Sequence, residues 1–436
     1  KINMIVNSKT TIKKELINYQ QALEIINSVA GNHLDDTTEQ INLGDAKNRI
    51  LANDILSPIN VPSFNNSAMD GFALKSHIVN SAIEKHGEIT LEITGSVQAG
   101  DQSEITINNN SDDFAWEIMT GAPVPEDFDA VIQIENVVIT QKNNTKFITI
   151  TETVKKGRNI RMLGTDYQVN QSVTNKHTNI QAQHIMAIAT VGIKNVDVIP
   201  NIRVAILSTG NELEKKSNKS LNSGKIFNSN QPFLKAHCND LNCNPVFVGR
   251  CKDNIDDFNL LIDTALSNKV KIIFSTGAVS MGKYDFIPQA LKQRGAKIHF
   301  HKAKIRPGKP ILFAELPDGT IYFGLPGNPI AAASGMRFFV SPFIRTLLGL
   351  PQEKPIKAKL LNSIDKKQGF RTFAKAYTCI NEQGQCTVDM LLDQGSYQSR
   401  SFAQSNCWLI LPEDKETIAA GELVDIAPIV LNQIIF

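Results

Sequence analysis

No run of apolar residues in this sequence approaches the ~18 that a membrane-spanning helix requires. The opening stretch, Lys1-Ile2-Asn3-Met4-Ile5-Val6, passes into polar residues without the apolar segment or small-residue cleavage site of an export signal. A soluble, cytoplasmic protein is expected. An excess of charge of one sign is lacking too, since 45 Lys and Arg face 43 Asp and Glu for a formal net charge of +2. No global field draws the chain to nucleic acid or an anionic membrane, so any anion site must be local. Cysteine is scarce: Cys238, Cys243, Cys251, Cys379, Cys386 and Cys407 form no CxxC and no zinc-like spacing with histidine, and they read as reduced thiols. Low-complexity tracts and heptad repeats are also missing. What is present is a 42% hydrophobic, 20% charged composition that can build cores. At 436 residues, it should build about two to four domains.

The chain changes texture along its length. Over residues 12–30, Leu16, Tyr19, Leu23, Ile26 and Ala30 recur at helical spacing, and Gly31 supplies a stop. From about 40 to 155 short alternating runs, such as Ile89, Leu91 and Ile93, predict a β-rich region. Thr178 is placed to cap a helix through Ile180, Ile185, Ile188 and Ala189 that ends at Gly192. Beyond it, apolar runs at 202–207, 246–249 and 270–274 alternate with helix-like segments at about 229–240, 255–267 and 285–294. That alternation predicts a parallel sheet covered on both faces. A helix over 328–348, a linker at Pro351 and Pro355, and strands such as 371–380 and 408–411 complete the pattern with a small C-terminal β domain.

Two strands end in the same words, Ser208-Thr209-Gly210 and Ser275-Thr276-Gly277, and a third turn, Leu325-Pro326-Gly327-Asn328-Pro329, opens a helix. In an open α/β sheet such turns present hydroxyls and backbone N–H groups at the carboxyl edge, where ligands bind. Glu212, Asp253 and Asp285 fall just beyond strands of that sheet; each is also suited to helix capping. Lys302, Lys304, Arg306 and Lys309 crowd a segment stiffened by Pro307-Gly308-Lys309-Pro310, which is compatible with a solvated strand edge or with an anion bound beside a divalent metal. Three further loops carry polar groups: 62–73 with Asp70, 119–125 with Thr120, and 157–166 with Arg158, Arg161 and Asp166. Turn chemistry alone accounts for much of the first two.

Taken in order, Asn66-Ser67-Ala68-Met69-Asp70-Gly71, Met119-Thr120-Gly121-Ala122-Pro123-Val124-Pro125, Asn159-Ile160-Arg161, Ser208-Thr209-Gly210-Asn211-Glu212-Leu213, Gly277-Ala278-Val279-Ser280-Met281-Gly282, Pro307-Gly308-Lys309-Pro310 and Gly324-Leu325-Pro326-Gly327-Asn328-Pro329 resemble the molybdopterin molybdenumtransferase family, which includes MoeA and the E domain of gephyrin. The resemblance spans nearly the whole chain. It implies an elongated, four-domain homodimer that inserts molybdate into adenylylated molybdopterin, releases AMP and uses a divalent cation, usually Mg²⁺. The fold expected is α/β and β multidomain, with a mostly parallel central sheet, a β-rich insertion and a small C-terminal β-barrel-like domain. The corresponding boundaries are an N-terminal helix at 1–30 packing on the α/β domain, a linker or α+β domain at 31–55 and 155–198, and the insertion at 56–154. The α/β molybdopterin-binding domain follows at 199–350 and the C-terminal domain at 351–436.

By the same resemblance, Asp70, Thr120, Asp166, Glu212 and Asp285 are the catalytic candidates, and Glu212, Asp253 and Asp285 the metal ligands. Substrate binding falls to Ser208, Thr209, Gly210, Ser275, Thr276, Gly277, Ser280, Lys302, Arg306, Lys309, Pro326, Asn328 and Pro329. Asn211 stands where many members carry Asp, and Arg306 where many carry Lys. The implied partners are the adenylylated pterin, molybdate and a second copy of the chain, with the preceding adenylyltransferase and apo-molybdoenzyme chaperones as further candidates. Two other readings remain: an adenylyltransferase-like enzyme sharing only the α/β domain, and a non-catalytic scaffold like gephyrin.

Overall fold

The computed structural model describes residues 16–102, 112–214, 223–279 and 286–430. The chain divides into two compact units, one built from residues up to Thr37 and from Ile199 onward, the other from Thr38–Val198.

The first unit is organised by a six-stranded sheet. Ile202–Thr209 lies at its heart, parallel to Cys243–Cys251 on one side and to Ile272–Thr276 on the other, and Ile321–Leu325 continues the parallel set. Leu312–Glu315 and Lys297–His301 then add antiparallel strands, so the sheet is mixed at that edge. The ten-residue gap between His301 and Leu312 is too short for the crossover that a parallel pair needs. Every residue of Ile202–Thr209 except Arg203 is buried, as expected of a strand covered on both faces. Helices Asn230–Asp240, Ile255–Ser267 and Ile287–Gln293 occupy the expected connections. Asn254 caps the second of these by accepting from Asp257 N–H at 2.8 Å, and Leu207, Phe258, Ile262, Ile273 and Leu291 share one core.

The C-terminal strands close on themselves. Arg371–Ile380, Cys386–Met390, Ile356–Leu360, Leu423–Pro428 and Cys407–Leu411 follow one another around a five-stranded barrel, which Cys407–Leu411 closes by pairing with Arg371–Ile380. Closure removes the exposed edges of a small sheet. A short sixth strand, Ile305–Arg306, comes from the α/β portion and pairs in parallel with Arg371 and Thr372.

The helix expected over 328–348 runs from Pro329 to Leu347 with a π turn at Met336–Val340. Pro342 has no N–H for the carbonyl four residues earlier, and the Tyr19 hydroxyl donates to that carbonyl, Phe338 O, at 3.3 Å. Tyr19 begins the first helix, Tyr19–Gly31, which Asn18 caps by accepting from Gln21 N–H and which buries Tyr19, Ala22, Ile26, Val29 and Ala30.

The second unit carries another six-stranded sheet, in the order Ala130–Gln133, Gly71–Leu74, Phe114–Ile118, Ile89–Val97, Thr145–Ile150, Val138–Lys142. It also holds a helix the β-rich reading missed, Ser76–His86, ended by Gly87 in the left-handed conformation. Val79 from that helix joins Phe72, Leu91, Ile132 and Ile148 in the core. A separate core around Leu43, Leu51, Ile180, Ile188 and Val198 is formed by the flanking segments. There the sequence expectation needs correction: the helix spans Ala182–Thr190 with Gln181 at its cap, and Thr178 lies outside it, its hydroxyl donating to Asn175 O. Among the described residues no helix is long and apolar enough to cross a membrane.

Candidate functional site

Parallel register brings the three strand-end turns side by side, because Ser208 pairs with Thr276 and Thr276 with Leu325. Alternation along a strand then divides the labour within each Ser-Thr-Gly. Ser208 and Ser275 are fully buried; Ser208 Oγ accepts from Asn228 Nδ2 at 3.0 Å, and Ser275 Oγ accepts from the Tyr322 hydroxyl at 2.5 Å. Thr209 and Thr276 instead line a cavity of about 680 Å³, together with Gly210, Gly277, Glu212 and Asp253. Thr209 Oγ1 donates to Thr276 O at 3.2 Å and ties the first turn to the second. Gly277 is obligatory there: its φ is +93°, and a Cβ would lie 2.6 Å from Thr209 O.

The acids of this cavity are held by the first turn. A Cβ on Gly210 would sit 2.7 Å from both Glu212 carboxylate oxygens, so the carboxylate folds back over the glycine. Asp253, two residues past the neighbouring strand, accepts from Asn211 N–H at 3.1 Å, while Asp253 N–H donates to Asn211 Oδ1 at 3.3 Å. Asn211, the departure from Asp, thus clasps Asp253 rather than leaving a gap. Pro326, Asn328 and Pro329 complete the wall, and Asn230 donates to Gly327 O at 2.7 Å. The other end of that amide, Asn230 Oδ1, is buried with no partner among the described residues.

A second cavity, of about 670 Å³, collects positive charge. Arg306 and Lys309 line it, joined by Lys366 and Lys367 from the barrel. Lys309 Nζ lies 5.9 Å from the Phe370 ring centroid. Burial lowers the Lys366 pKa, the acidic side chains Glu413, Asp414 and Glu416 acting against that shift. Lys302 lines neither cavity; its backbone has φ +80° and its N–H donates to Ile311 O at 2.8 Å. At the start of the Pro329 helix, Pro329 has no N–H and Ile330 N–H donates to Ser396 O at 3.0 Å, so neither of these positions offers an amide to an anion.

In the second unit the Asp70, Thr120 and Asn159 loops are stitched together. Asn66–Ser67 pairs with Ile160–Arg161, Gly121 N–H donates to Ser67 O at 2.8 Å, and Ala68 N–H to Asn159 O at 2.8 Å. Thr120 donates to Asp70 Oδ1 twice, from its backbone N–H at 2.6 Å and its hydroxyl at 2.9 Å. Those bonds, the backbone one foremost, hold the Asp70 pKa below the usual carboxylate range. Gly71 has a packing reason, for a Cβ there would meet Ile132 O at 1.9 Å. Asp166 is exposed on the adjoining loop, where its N–H donates to Val61 O at 2.9 Å.

Ser280 and Asp285 lie outside the described residues. Of the remaining candidates, the first cavity brings together Thr209, Gly210, Glu212, Asp253, Thr276, Gly277, Pro326, Asn328 and Pro329, and the second takes Arg306 and Lys309. Sequence reasoning missed Asn230, Lys366, Lys367, Ser396 and Tyr397. The last four come from the C-terminal domain, which reaches the basic segment through the pairing of Ile305 and Arg306 with Arg371 and Thr372 and the bond from Arg371 N–H to Lys304 O.

Three family models match in series: the MoeA N-terminal region (domain I and II) over residues 17–192, a probable molybdopterin binding domain over 205–346, and the MoeA C-terminal region (domain IV) over 357–429. A Haemophilus influenzae protein named molybdopterin molybdenumtransferase is 36% identical, the match covering 90% of this chain and 94% of that one. A Synechococcus elongatus protein of the same name is 32% identical, with 94% and 99% covered. Among solved structures, the molybdopterin biosynthesis MoeA protein of Pyrococcus horikoshii matches with a TM-score of 0.79 at 26% identity, covering 95% of this chain and 99% of that one.

Proposed function

The chain belongs to the MoeA family of molybdopterin molybdenumtransferases, and from that membership we propose that it inserts molybdate into adenylylated molybdopterin and releases AMP. The observation that carries this reading is the pair of abutting cavities, one edged by strand-end turns and carboxylates, the other by cations. The first suits a phosphoanhydride with its counter-ion, and the second a tetrahedral oxyanion. Molybdate is a dianion, and Arg306 and Lys309, supported by Lys366 and Lys367, neutralise it; Lys302 contributes charge from outside the cavity.

Mg²⁺ fits the first cavity, whose lining offers two carboxylates, Glu212 and Asp253, and no thiol or imidazole. Among the described residues no cluster of three or more acidic, histidine or cysteine groups forms a ready-made metal cage. Mg²⁺ commonly binds through one or two carboxylates plus substrate phosphates. When bound, the ion would neutralise and polarise the pyrophosphate. Thr209 and Thr276 position the phosphates, and Asp70, oriented by Thr120, is a further acid of the reaction.

The test mixes the protein with adenylylated molybdopterin, molybdate and Mg²⁺, and follows AMP release and the activation of an apo-molybdoenzyme. Both should depend on molybdate. AMP release with no activation of the apo-enzyme would sink the insertion step, and neither product would sink the whole reading.

A further inference from the structure

The two cavities are separated by a wall that both share: Pro310, Pro326, Asn328 and Tyr397. Between a cavity edged by Glu212 and Asp253 and one edged by Arg306, Lys309, Lys366 and Lys367, this partition offers two pyrrolidine rings, the Asn328 amide and one phenol ring. Tyr397 is 71% exposed, which is unusual for a ring on a tightly fixed loop.

The fixing is extensive. Ser396 accepts from Asn328 Nδ2 on its hydroxyl at 3.0 Å and from Ile330 N–H on its carbonyl at 3.0 Å. Gly395 N–H donates to Gln398 Oε1 at 2.6 Å. From beneath, the buried ammonium of Lys375 donates to Gly395 O, Gln398 O and Ser401 Oγ at 3.2, 3.2 and 2.7 Å. Three donors of one cation thus bolt the loop that displays the ring. An exposed aromatic held on a rigid loop has already lost the freedom that binding would otherwise remove. The arrangement suits a planar heterocycle, which gains from stacking on an aromatic face.

We propose that Tyr397 is a specificity-determining residue, the platform on which the pterin of the substrate lies between the two cavities. This rests on the reading that the nucleotide end occupies the acidic cavity and molybdate the basic one. The group that spans them must then be the pterin with its dithiolene, and the ring at the partition meets that group and not adenine. The C-terminal barrel, through this loop, selects the organic substrate.

Tyr397→Ala and Tyr397→Phe test this. Steady-state AMP release gives KM for adenylylated molybdopterin and the molybdate requirement, titration with AMP alone gives its Kd, and sedimentation reports assembly. Tyr397→Ala should raise the KM about tenfold, Tyr397→Phe should stay within about twofold of the parent, and AMP affinity, molybdate requirement and assembly should not move. An unchanged KM for Tyr397→Ala in an active enzyme overturns the platform alone. An equal loss in AMP affinity assigns the ring to adenine, and a change in sedimentation assigns it to a chain interface; either overturns the proposal. A parent protein that releases no AMP takes down the functional reading together with this one.

Discussion

At the scale of single residues, the three most informative side chains are Asp70, Arg306 and His237. Asp70→Asn keeps an acceptor for both Thr120 donors, so the loop should remain folded while AMP release falls by orders of magnitude. Full activity in a folded Asp70→Asn variant would exclude the acid from the chemistry. Because the depressed pKa favours the anion, Asp70's share of stability is fully present above the unfolded carboxyl value and is lost as pH falls from there through the lowered folded value. A carboxyl titration followed by NMR should show that midpoint below the usual carboxylate range. Arg306→Ala removes one charge-assisted bond to an oxyanion, about 1.5–3 kcal/mol, and should raise the molybdate requirement roughly ten- to 150-fold, with Arg306→Lys losing little. If the pterin requirement shifts and the molybdate requirement does not, the basic strand serves the nucleotide. His237 is buried, neither ring nitrogen has a partner among the described residues, and burial pulls its pKa to about 4. The unfolded chain therefore takes up a proton between about pH 6.5 and 4 that the folded chain refuses, and stability falls as pH drops through that window. His237→Leu should flatten the fall by about 3 kcal/mol, read from urea unfolding at pH 7.5 and 4.5. An unchanged pH slope would contradict it.

Among the elements, the first helix shows how distant sequence repairs a local defect. Pro342 deprives Phe338 O of its α-helical donor, and Tyr19 supplies one across 319 positions of chain. Tyr19→Phe retains the ring contacts with Phe339 and Phe373 at 5.5 and 5.4 Å and removes only the hydroxyl. Stability should drop by about 1–3 kcal/mol with catalytic constants unchanged, and denaturant unfolding beside kinetics checks both halves. Elements with strong periodicity were legible in advance: the first helix, the strands at 202–209 and 272–276, and the helices between them. The Ser76–His86 helix escaped because its apolar residues are few and it lies amid alternating strands. Thr178 misled because a hydroxyl suited to capping was used instead by the preceding turn. Within the Ser-Thr-Gly turns, repetition announced a ligand edge, yet which face of the strand meets the cavity, and so that the threonines line it while the serines complete a core, came only from the packing around the sheet.

At the scale of the whole molecule, the ordered motifs made the family legible, while the barrel's part in the site was not, since no spacing links Lys366 or Tyr397 to Arg306. The acid held by Thr120 belongs to one unit and the paired cavities to the other. We expect a homodimer, for which sedimentation at micromolar concentration should give twice the 48.1 kDa of one chain; a monomer that remains fully active would refute it. The pairing of Ile305–Arg306 with Arg371 and Thr372 also has an evolutionary consequence. The barrel drafts one cation of the α/β portion, Arg306, into its own hydrogen-bond ladder. A slip of one residue in that ladder would shift Arg306 by about 3.3 Å, roughly the length of a hydrogen bond. Insertions and deletions around Arg371 should therefore be rare among descendants that still use molybdate, and tolerated in lineages that have abandoned it.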